Sequence, residues 1–283
     1  MKFNGEVALV TAAGRGIGRG IAEALGAAGA RVVVNSYSEQ TTAATVEAIV
    51  SAGGAAIACP GDITVPEVML DTRDQALAHW GQLDILVNNV GAAPKASDKP
   101  AGHELGVPAL MWDGLYGQNL LPAVLMTEAV LAHMRERKTG KIINISSIAG
   151  KTSLSDQMLQ FFLHPAYSAM KAALISYTHT QAEILGPDNI NVNAVCPGIV
   201  YTDAWKSNAE RAVAHLDEFK GQEPRAWFEG IARGDYPHIF DRTPLRREQT
   251  VEDIANAVVF LASSAAENIT GQSLMVDGGM VKL

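Results

Sequence analysis

Two rhythms of apolar and polar positions alternate along this chain of 283 residues. Short unbroken apolar runs suit strands buried on both faces. Between them, apolar positions recur every three or four residues, the period of a helix. Residues 7–10 are the first such run, and Thr11-Ala12-Ala13-Gly14-Arg15-Gly16-Ile17-Gly18 follows. Ile17, Ile21 and Leu25 then mark a helix that stops near Gly29. Residues 31–34 read as a second strand, 41–52 as a helix closed by Gly53-Gly54, and 55–58 as a third strand. Thr64-Val65-Pro66-Glu67 has the form of a capping box with proline in the first turn, and it opens the next helix. Residues 84–87 are a fourth strand, running into Asn88-Asn89-Val90-Gly91.

The stretch 92–111 is less regular and holds three prolines; a helical region containing Asn119 then runs on to Arg137. A fifth strand, 141–146, ends at Ser146-Ser147. Residues 151–164 form a polar and aromatic connection to a helix that carries Tyr167 and Lys171 and ends at Gly186-Pro187. A sixth strand, 190–195, leads to Pro197-Gly198, and 273–276 is the last strand, after a helix from Thr250 to Ser263. Repeating βα units with short links predict a doubly wound α/β fold. Its parallel sheet has about seven strands, with helices on both faces and right-handed crossovers. No linker or repeat interrupts it, so residues 1–283 are expected to form one domain. Within it, 203–249 is rich in aromatic and charged residues and reads as an enlarged helical flap over a ligand, with packing at a subunit contact as the competing reading.

Composition narrows the function. With 48% hydrophobic and 18% charged residues the chain reads as globular and soluble. A net charge of -8 and a pI of about 5.4 argue against a nucleic-acid or anionic-membrane surface. Its longest apolar runs, such as 257–262, are too short to span a bilayer, and no signal peptide is expected. Cys59 and Cys196 fit no metal-ligand spacing and suggest a reducing, cytoplasmic compartment. His103, His179 and His215 form no metal pattern either, so no metal is expected.

The chemistry centres on Tyr167 and Lys171, four residues apart and so on one face of a helix. A phenol is a poor base near neutral pH, and a fixed ammonium beside it favours the phenolate. Such a pair suits proton transfer to or from a substrate oxygen, although a cation beside a surface ring has the same spacing. The strand, glycine-rich turn and helix at 7–25 form the context of a dinucleotide fingerprint, in which a helix N-terminus meets a pyrophosphate; a βα turn without ligand looks alike. Asn35, Ser36 and Ser38 end the second strand without an acid to repel a 2′-phosphate, and Arg15 lies in the turn. That combination favours NADP(H) over NAD(H). His164, next to Pro165, reads as structural, and Cys196 as a buried small side chain.

The glycine-rich turn at 11–18, Asn88-Asn89-Val90-Gly91, Asn119, Ser147 before Tyr167-x-x-x-Lys171, and Pro197-Gly198 stand in that order. On these motifs the chain resembles the short-chain dehydrogenase/reductase family along essentially its whole length, in particular 3-oxoacyl-carrier-protein reductases and related carbonyl reductases. The resemblance implies a doubly wound Rossmann-type fold and catalysis by Asn119, Ser147, Tyr167 and Lys171. Tyr167 would be the general acid or base, and Lys171 would tune it and hold the nicotinamide ribose. Ser147 would bind the substrate oxygen, and Asn119 would anchor a water leading to Lys171. The turn from Ala13 through Gly14, Arg15 and Gly16 to Ile17 would meet the pyrophosphate. Asp62 and Ile63 would meet adenine, and Asn89 and Gly91 the ribose and the sheet edge. Pro197, Gly198, Val200 and Thr202 would meet the nicotinamide.

Three departures stand out. Ala12 replaces the first glycine of the turn, which predicts a right-handed backbone there. Val90 stands where the family usually has Ala, and the link from Ser147 to Tyr167 is long, so that 157–164 would form a wall of the substrate pocket. The leading function is an NADP(H)-dependent oxidoreductase acting on a ketone or secondary alcohol. The alternatives are a catabolic NAD-dependent alcohol dehydrogenase, a non-catalytic cofactor-binding relative, and a lyase or epimerase. Relatives are often tetramers, so a homo-oligomer, tetramer or dimer, is expected.

Overall fold

The structure is a computed structural model that describes residues 1–92, 109–153, 164–237 and 243–282. Most of the expected pocket wall at 157–164 therefore lies outside the described residues, as do parts of the 92–111 stretch and of the flap.

Seven parallel strands form one sheet in the order β3-β2-β1-β4-β5-β6-β7. They are β1 Val7–Val10, β2 Arg31–Ser36, β3 Ala55–Pro60, β4 Ile85–Asn88, β5 Gly140–Ile145, β6 Ile190–Pro197 and β7 Ser273–Val276. The described helices are α1 Gly16–Ala27, α2 Glu39–Ser51, α3 Pro66–Trp80, α4 Ala109–Asn119, α5 Leu121–Arg137, α6 Pro165–Leu185, α7 Asp203–His215, α8 Pro224–Arg233 and α9 Val251–Ala262.

The pleat explains why the strands are apolar throughout. Ala8 and Val10 of β1 face a core shared with Ile21 and Leu25 of α1 and Ile254 and Val258 of α9. Val7 and Leu9 face the opposite core, with Met126 and Val130 of α5 and Leu185 of α6. Both sides of every central strand are thus removed from water. A third, smaller cluster lies inside the flap, where Phe219, Trp227, Phe228 and Ile231 pack with Ile199. The aromatic residues of the flap therefore build a core of their own.

The strand order reverses between β1 and β4, which opens a crevice beyond their carboxyl ends. A buried polar ladder lies beside that crevice. Asn88 Nδ2 donates to Asn144 Oδ1 at 2.9 Å, and Asn144 Nδ2 donates to Thr178 Oγ1 at 2.9 Å. Asn88 Nδ2 also donates to Thr127 Oγ1 at 3.2 Å. These bonds join β4, β5, α5 and α6 at one depth, and a buried amide has few other registers in which it is paired.

Two expected elements differ. The helical region around Asn119 is two helices, because Pro122 in the first turn of α5 lacks the N–H that would continue α4. The expected capping box before α3 is absent. Asp62 Oδ1 takes both the Thr64 N–H, at 3.0 Å, and the Thr64 hydroxyl, at 2.7 Å. Thr64 is drawn into that turn, and Val65 becomes an N-cap without a side-chain bond, followed by Pro66.

Candidate active site

Helix α6 begins at His164, whose Nδ1 accepts the Ala166 N–H at 3.1 Å, so this histidine is a helix cap. Tyr167 stands in the first turn and Lys171 one turn later, with Nζ 5.7 Å from the centre of the Tyr167 ring. The helix is held against β5 at this height. Ser146 Oγ donates to Lys171 O at 2.8 Å, and a Cβ on Gly150 would lie 2.7 Å from the Lys171 backbone. Ser147 stands at the end of β5, where its Oγ accepts the Ala149 N–H at 3.1 Å. Its side chain also hydrogen-bonds to the Tyr167 phenol.

The electrostatics correct one expectation. Burial pushes the Tyr167 phenol up from its ordinary value, and the Ser147 hydrogen bond opposes this. Burial also lowers Lys171 itself, to about 8, and its Nζ donates to Ile145 O at 3.1 Å. Desolvation outweighs the cation in the chain by itself, because a charge on either partner is taken out of water.

Asn119, the last residue of α4, is buried. Its Nδ2 donates to Ala92 O and Leu115 O, each at 3.1 Å, while Oδ1 is buried with no partner. A Cβ on Gly91 would lie 2.8 Å from that oxygen and 2.9 Å from Lys171 Nζ. An orphaned acceptor and an ammonium therefore converge over Gly91. A water between them would satisfy both.

At the end of β1, the Thr11 hydroxyl accepts the Asn89 N–H at 2.9 Å and the Val90 N–H at 3.2 Å. Asn89 Nδ2 donates back to Thr11 O and Ala12 O, at 3.0 and 3.2 Å. Its side-chain nitrogen thus holds the glycine turn. Sequence reasoning passed over Thr11, although a lone hydroxyl closing an apolar strand was the available signal. Helix α1 then starts at Gly16 with no side-chain cap, which leaves its first N–H groups free toward the crevice. Buried Ala13 donates its N–H to Asn35 O at 2.7 Å, and Ile17 packs partly into the core.

The backbone at Ala12 is left-handed, with φ of 51°, against the right-handed expectation. The bonds from Asn89 and the tight approach of Gly18 to Ala12 O dictate the turn, and the alanine takes the strain. Left-handed backbone costs an L-residue about 1–2 kcal/mol, part of which glycine gives back in unfolded-chain entropy. Ala12→Gly should therefore raise stability by about 0.5–1 kcal/mol, read as a higher Tm; a fall in Tm would show that the turn is not strained.

The second strand end divides its polar groups. Asn35 Nδ2 donates to Cys59 O at 3.0 Å and Gly61 O at 3.3 Å, which ties β2 to β3. Ser38 is the N-cap of α2 and accepts the Thr41 N–H. Ser36 Oγ, 3.4 Å from Thr41 Oγ1, faces the place where Gly14 leaves no room for a Cβ. Arg15 is exposed, with Nη1 4.0 Å from Asp203 Oδ2. Asp62 is turned to Thr64, and the Ile63 side chain is buried in the core, leaving its backbone for a ligand. Across the crevice, Pro197 is paired with Val276, Gly198 packs on Gln249, and Val200 is bridged to Gln249. Thr202 closes the opposite wall, its methyl 3.6 Å from where a Cβ of Gly16 would lie. The structure thus gathers Ser147, Tyr167, Lys171, Asn119 and Gly91 on one side, and the turn at 13–17 and Thr202 on the other. Among the described residues no group of acids, histidines and cysteines could hold a metal ion.

The profile described as short chain dehydrogenase matches residues 6–212, and one described as Enoyl-(Acyl carrier protein) reductase matches residues 224–281. The chain belongs to the short-chain dehydrogenase/reductase family. It is 35% identical over 279 residues to a 3-oxoacyl-[acyl-carrier-protein] reductase of Synechocystis, covering 98% of this chain and 97% of that one. It is 34% identical over 282 residues to a versicolorin reductase of Emericella nidulans, covering 98% and 96%. A 7 alpha-hydroxysteroid dehydrogenase solved with NADH and 7-oxo glycochenodeoxycholic acid superposes with a TM-score of 0.80 at 31% identity, covering 100% of this chain and 96% of that one. A Brucella melitensis 3-oxoacyl-[acyl-carrier protein] reductase with bound NAD gives 0.78 at 28% identity, covering 98% and 92%. As a member of this family the chain is an NAD(P)-dependent oxidoreductase acting on CH–OH or carbonyl groups.

Proposed function

We propose that the protein transfers a hydride between NADP(H) and a ketone or secondary alcohol, with Tyr167 as general acid in reduction and general base in oxidation. The observation that carries this reading is the juxtaposition of the Tyr167 phenol with the Ser147 hydroxyl, backed by Lys171 and the unpartnered Asn119 oxygen. The uncapped start of α1 and the close-packed turn beside it suit a pyrophosphate. Bound there, the nicotinamide cofactor supplies or accepts the hydride.

The residues divide the remaining work. Ser147 donates to the substrate oxygen as charge grows on it, which favours the transition state over the ground state. Tyr167 gives that oxygen a proton in reduction or takes it in oxidation. Lys171, with a pKa lowered to about 8, and Asn119, through a bridging water, resupply that proton from solvent in reduction and release it to solvent in oxidation. Lys171 also faces the side of the crevice where ribose hydroxyls would lie, and Gly91 leaves the space open.

Two solved relatives hold NADH and NAD, so the preference for NADP(H) rests on this chain's own residues. Arg15 is exposed, Ser36 faces the turn, and β2 ends without a carboxylate. Asn35 and Ser38 support this edge through the backbone. Titration with NADPH and NADH tests the assignment: NADPH should bind more tightly, and Arg15→Ala should weaken NADPH by about 10-fold or more while sparing NADH, the loss expected for a charge-assisted bond. Equal affinities, or a silent Arg15→Ala, would make the NAD-dependent alcohol dehydrogenase the better reading. Cofactor turnover with a simple ketone would set either apart from a non-catalytic relative.

The same reading places residues 1–283 in one domain. The buried free thiols Cys59 and Cys196 suit a reducing cytoplasm, and no helix among the described residues is long and apolar enough to cross a membrane. Exposed Leu110, Trp112 and Tyr116 on α4 suit a homo-oligomer, tetramer or dimer.

A further inference from the structure

The short segment that follows β6 forms one wall of the crevice, and a single side chain of the flap holds it from behind. Val200 is bridged to Gln249, and Thr202 is the N-cap position of α7, with its methyl 3.6 Å from where a Cβ of Gly16 would lie. Tyr201, between them, packs its ring against the flap core, 4.7 Å from the Phe228 ring. Arg225, in the first turn of α8, lies over that tyrosine. Its guanidinium is 4.3 Å from the centre of the Tyr201 ring and 5.9 Å from that of Phe228.

The edge of the same guanidinium is also engaged. Nη1 donates to Glu248 Oε1 at 3.0 Å and Nη2 donates to Glu248 Oε2, a fork onto a carboxylate 23 residues further along the chain. Nε lies 3.1 Å from Glu229 Oε1. Glu248 is in turn fixed to the body of the fold. Its neighbour Gln249 donates from Nε2 to Asp277 O at 2.9 Å, and Thr250 and Asp253 close the start of α9 with a capping box. Arg225 and Glu248 are both half-buried, so the fork is partly shielded from salt. A planar guanidinium can donate from its edge while its face stacks on a ring, which an ammonium cannot do.

The flap does not need this clasp to hold itself together, because Phe219, Trp227, Phe228 and Ile231 already give it a buried core. What Arg225 adds is a tie among α8, the strap before α9 and the crevice wall at 200–202. We propose that Arg225 is a positioning residue for the cofactor. Clasped to Glu248 and lying on Tyr201, it holds Val200 and Thr202 against the nicotinamide half, so that breaking the clasp weakens that half of the site and spares the adenosine half. This inference rests on the oxidoreductase reading, in which Val200 and Thr202 meet the nicotinamide.

The test compares NADPH with adenosine 2′,5′-bisphosphate, which lacks the nicotinamide and its ribose, by titration into wild type and variants. Arg225→Met and Tyr201→Leu should each weaken NADPH by about 10-fold, the scale of a charge-assisted contact. The double variant should lose little more than either, since the two side chains act as one unit. Arg225→Lys should lose most of the affinity, and Tyr201→Phe, which keeps the ring, should retain it. Affinity for the bisphosphate should stay unchanged throughout, and it also reports an intact fold. NADPH affinity unchanged in Arg225→Met, equal losses for both ligands, or losses that multiply in the double variant would overturn the proposal. The expected binding pattern without hydride transfer by wild type to any ketone would leave the clasp standing and count against the oxidoreductase reading.

Discussion

Tyr167→Phe should lower kcat by about 10²- to 10⁴-fold, the range supplied by a positioned acid or base, and leave cofactor affinity nearly unchanged. The substitution removes one hydroxyl and keeps the half-buried ring in the first turn of α6, so the fold has no reason to change. What is lost is the proton donor that Ser147 holds toward the crevice. The pH profile of wild type carries the same signature. Burial raises the phenol, so reduction, which needs the phenol, should hold its rate at low pH and fall as pH passes the phenol's pKa. Oxidation needs the phenolate and should rise with pH. A Phe variant with wild-type kcat, or reduction that accelerates with pH, would remove Tyr167 from the mechanism.

Lys171→Met is expected to separate stability from activity. Lys171 is buried, and burial lowers its pKa from 10.5 to about 8. The sign follows from proton binding: between these two values the unfolded chain holds the proton and the folded chain has released it, so stability rises with pH across that window. Below about 8 both states are protonated and the fold bears the full cost of a buried cation. A methionine of similar length carries no such cost. At pH 7 the variant should be more stable than wild type by on the order of 1–3 kcal/mol, the scale of the shift after the lost bond to Ile145 O is set against it. The advantage should shrink toward pH 10, while turnover drops by about 10²-fold or more. Paired denaturant melts across pH and initial-rate assays would show this. A variant less stable than wild type at pH 7 would mean that the lysine is fully compensated in the fold.

Some of this molecule was legible from pattern alone. Strands β1 and β7 have the bounds of their apolar runs. Strands β2, β3 and β6 continue past theirs, through Ser36, Pro60 and Pro197, because ladder bonds are made by backbone and need no apolar run, and a proline at the strand end still offers its carbonyl. Pro122 marks the break after Asn119, whereas the loss of the Thr64 cap to Asp62 depends on a turn that the motif does not contain. In the site, the Tyr167–Lys171 face follows from helix spacing. The meeting of Asn119 with Lys171 over Gly91 does not, since it is made by a crossover that brings α4 beside α6. Asn35, Ser38 and Asn89 satisfy neighbouring backbone, which a buried loop requires before any ligand arrives. Spacing likewise shows the proximity of Lys171 to Tyr167 and not the desolvation that burial imposes on both.

Hydride transfer coupled to Tyr167 is tested most directly by mass. NADPH deuterated at the transferring carbon would be mixed with the protein and a panel of ketones, and the alcohols formed would be analysed for label. One deuterium on the carbinol carbon of the product, formed about 10²-fold or more slowly with Tyr167→Phe, is the predicted result. NADPH that binds without yielding labelled alcohol from any of them, or labelling at an equal rate by the Phe variant, would contradict it.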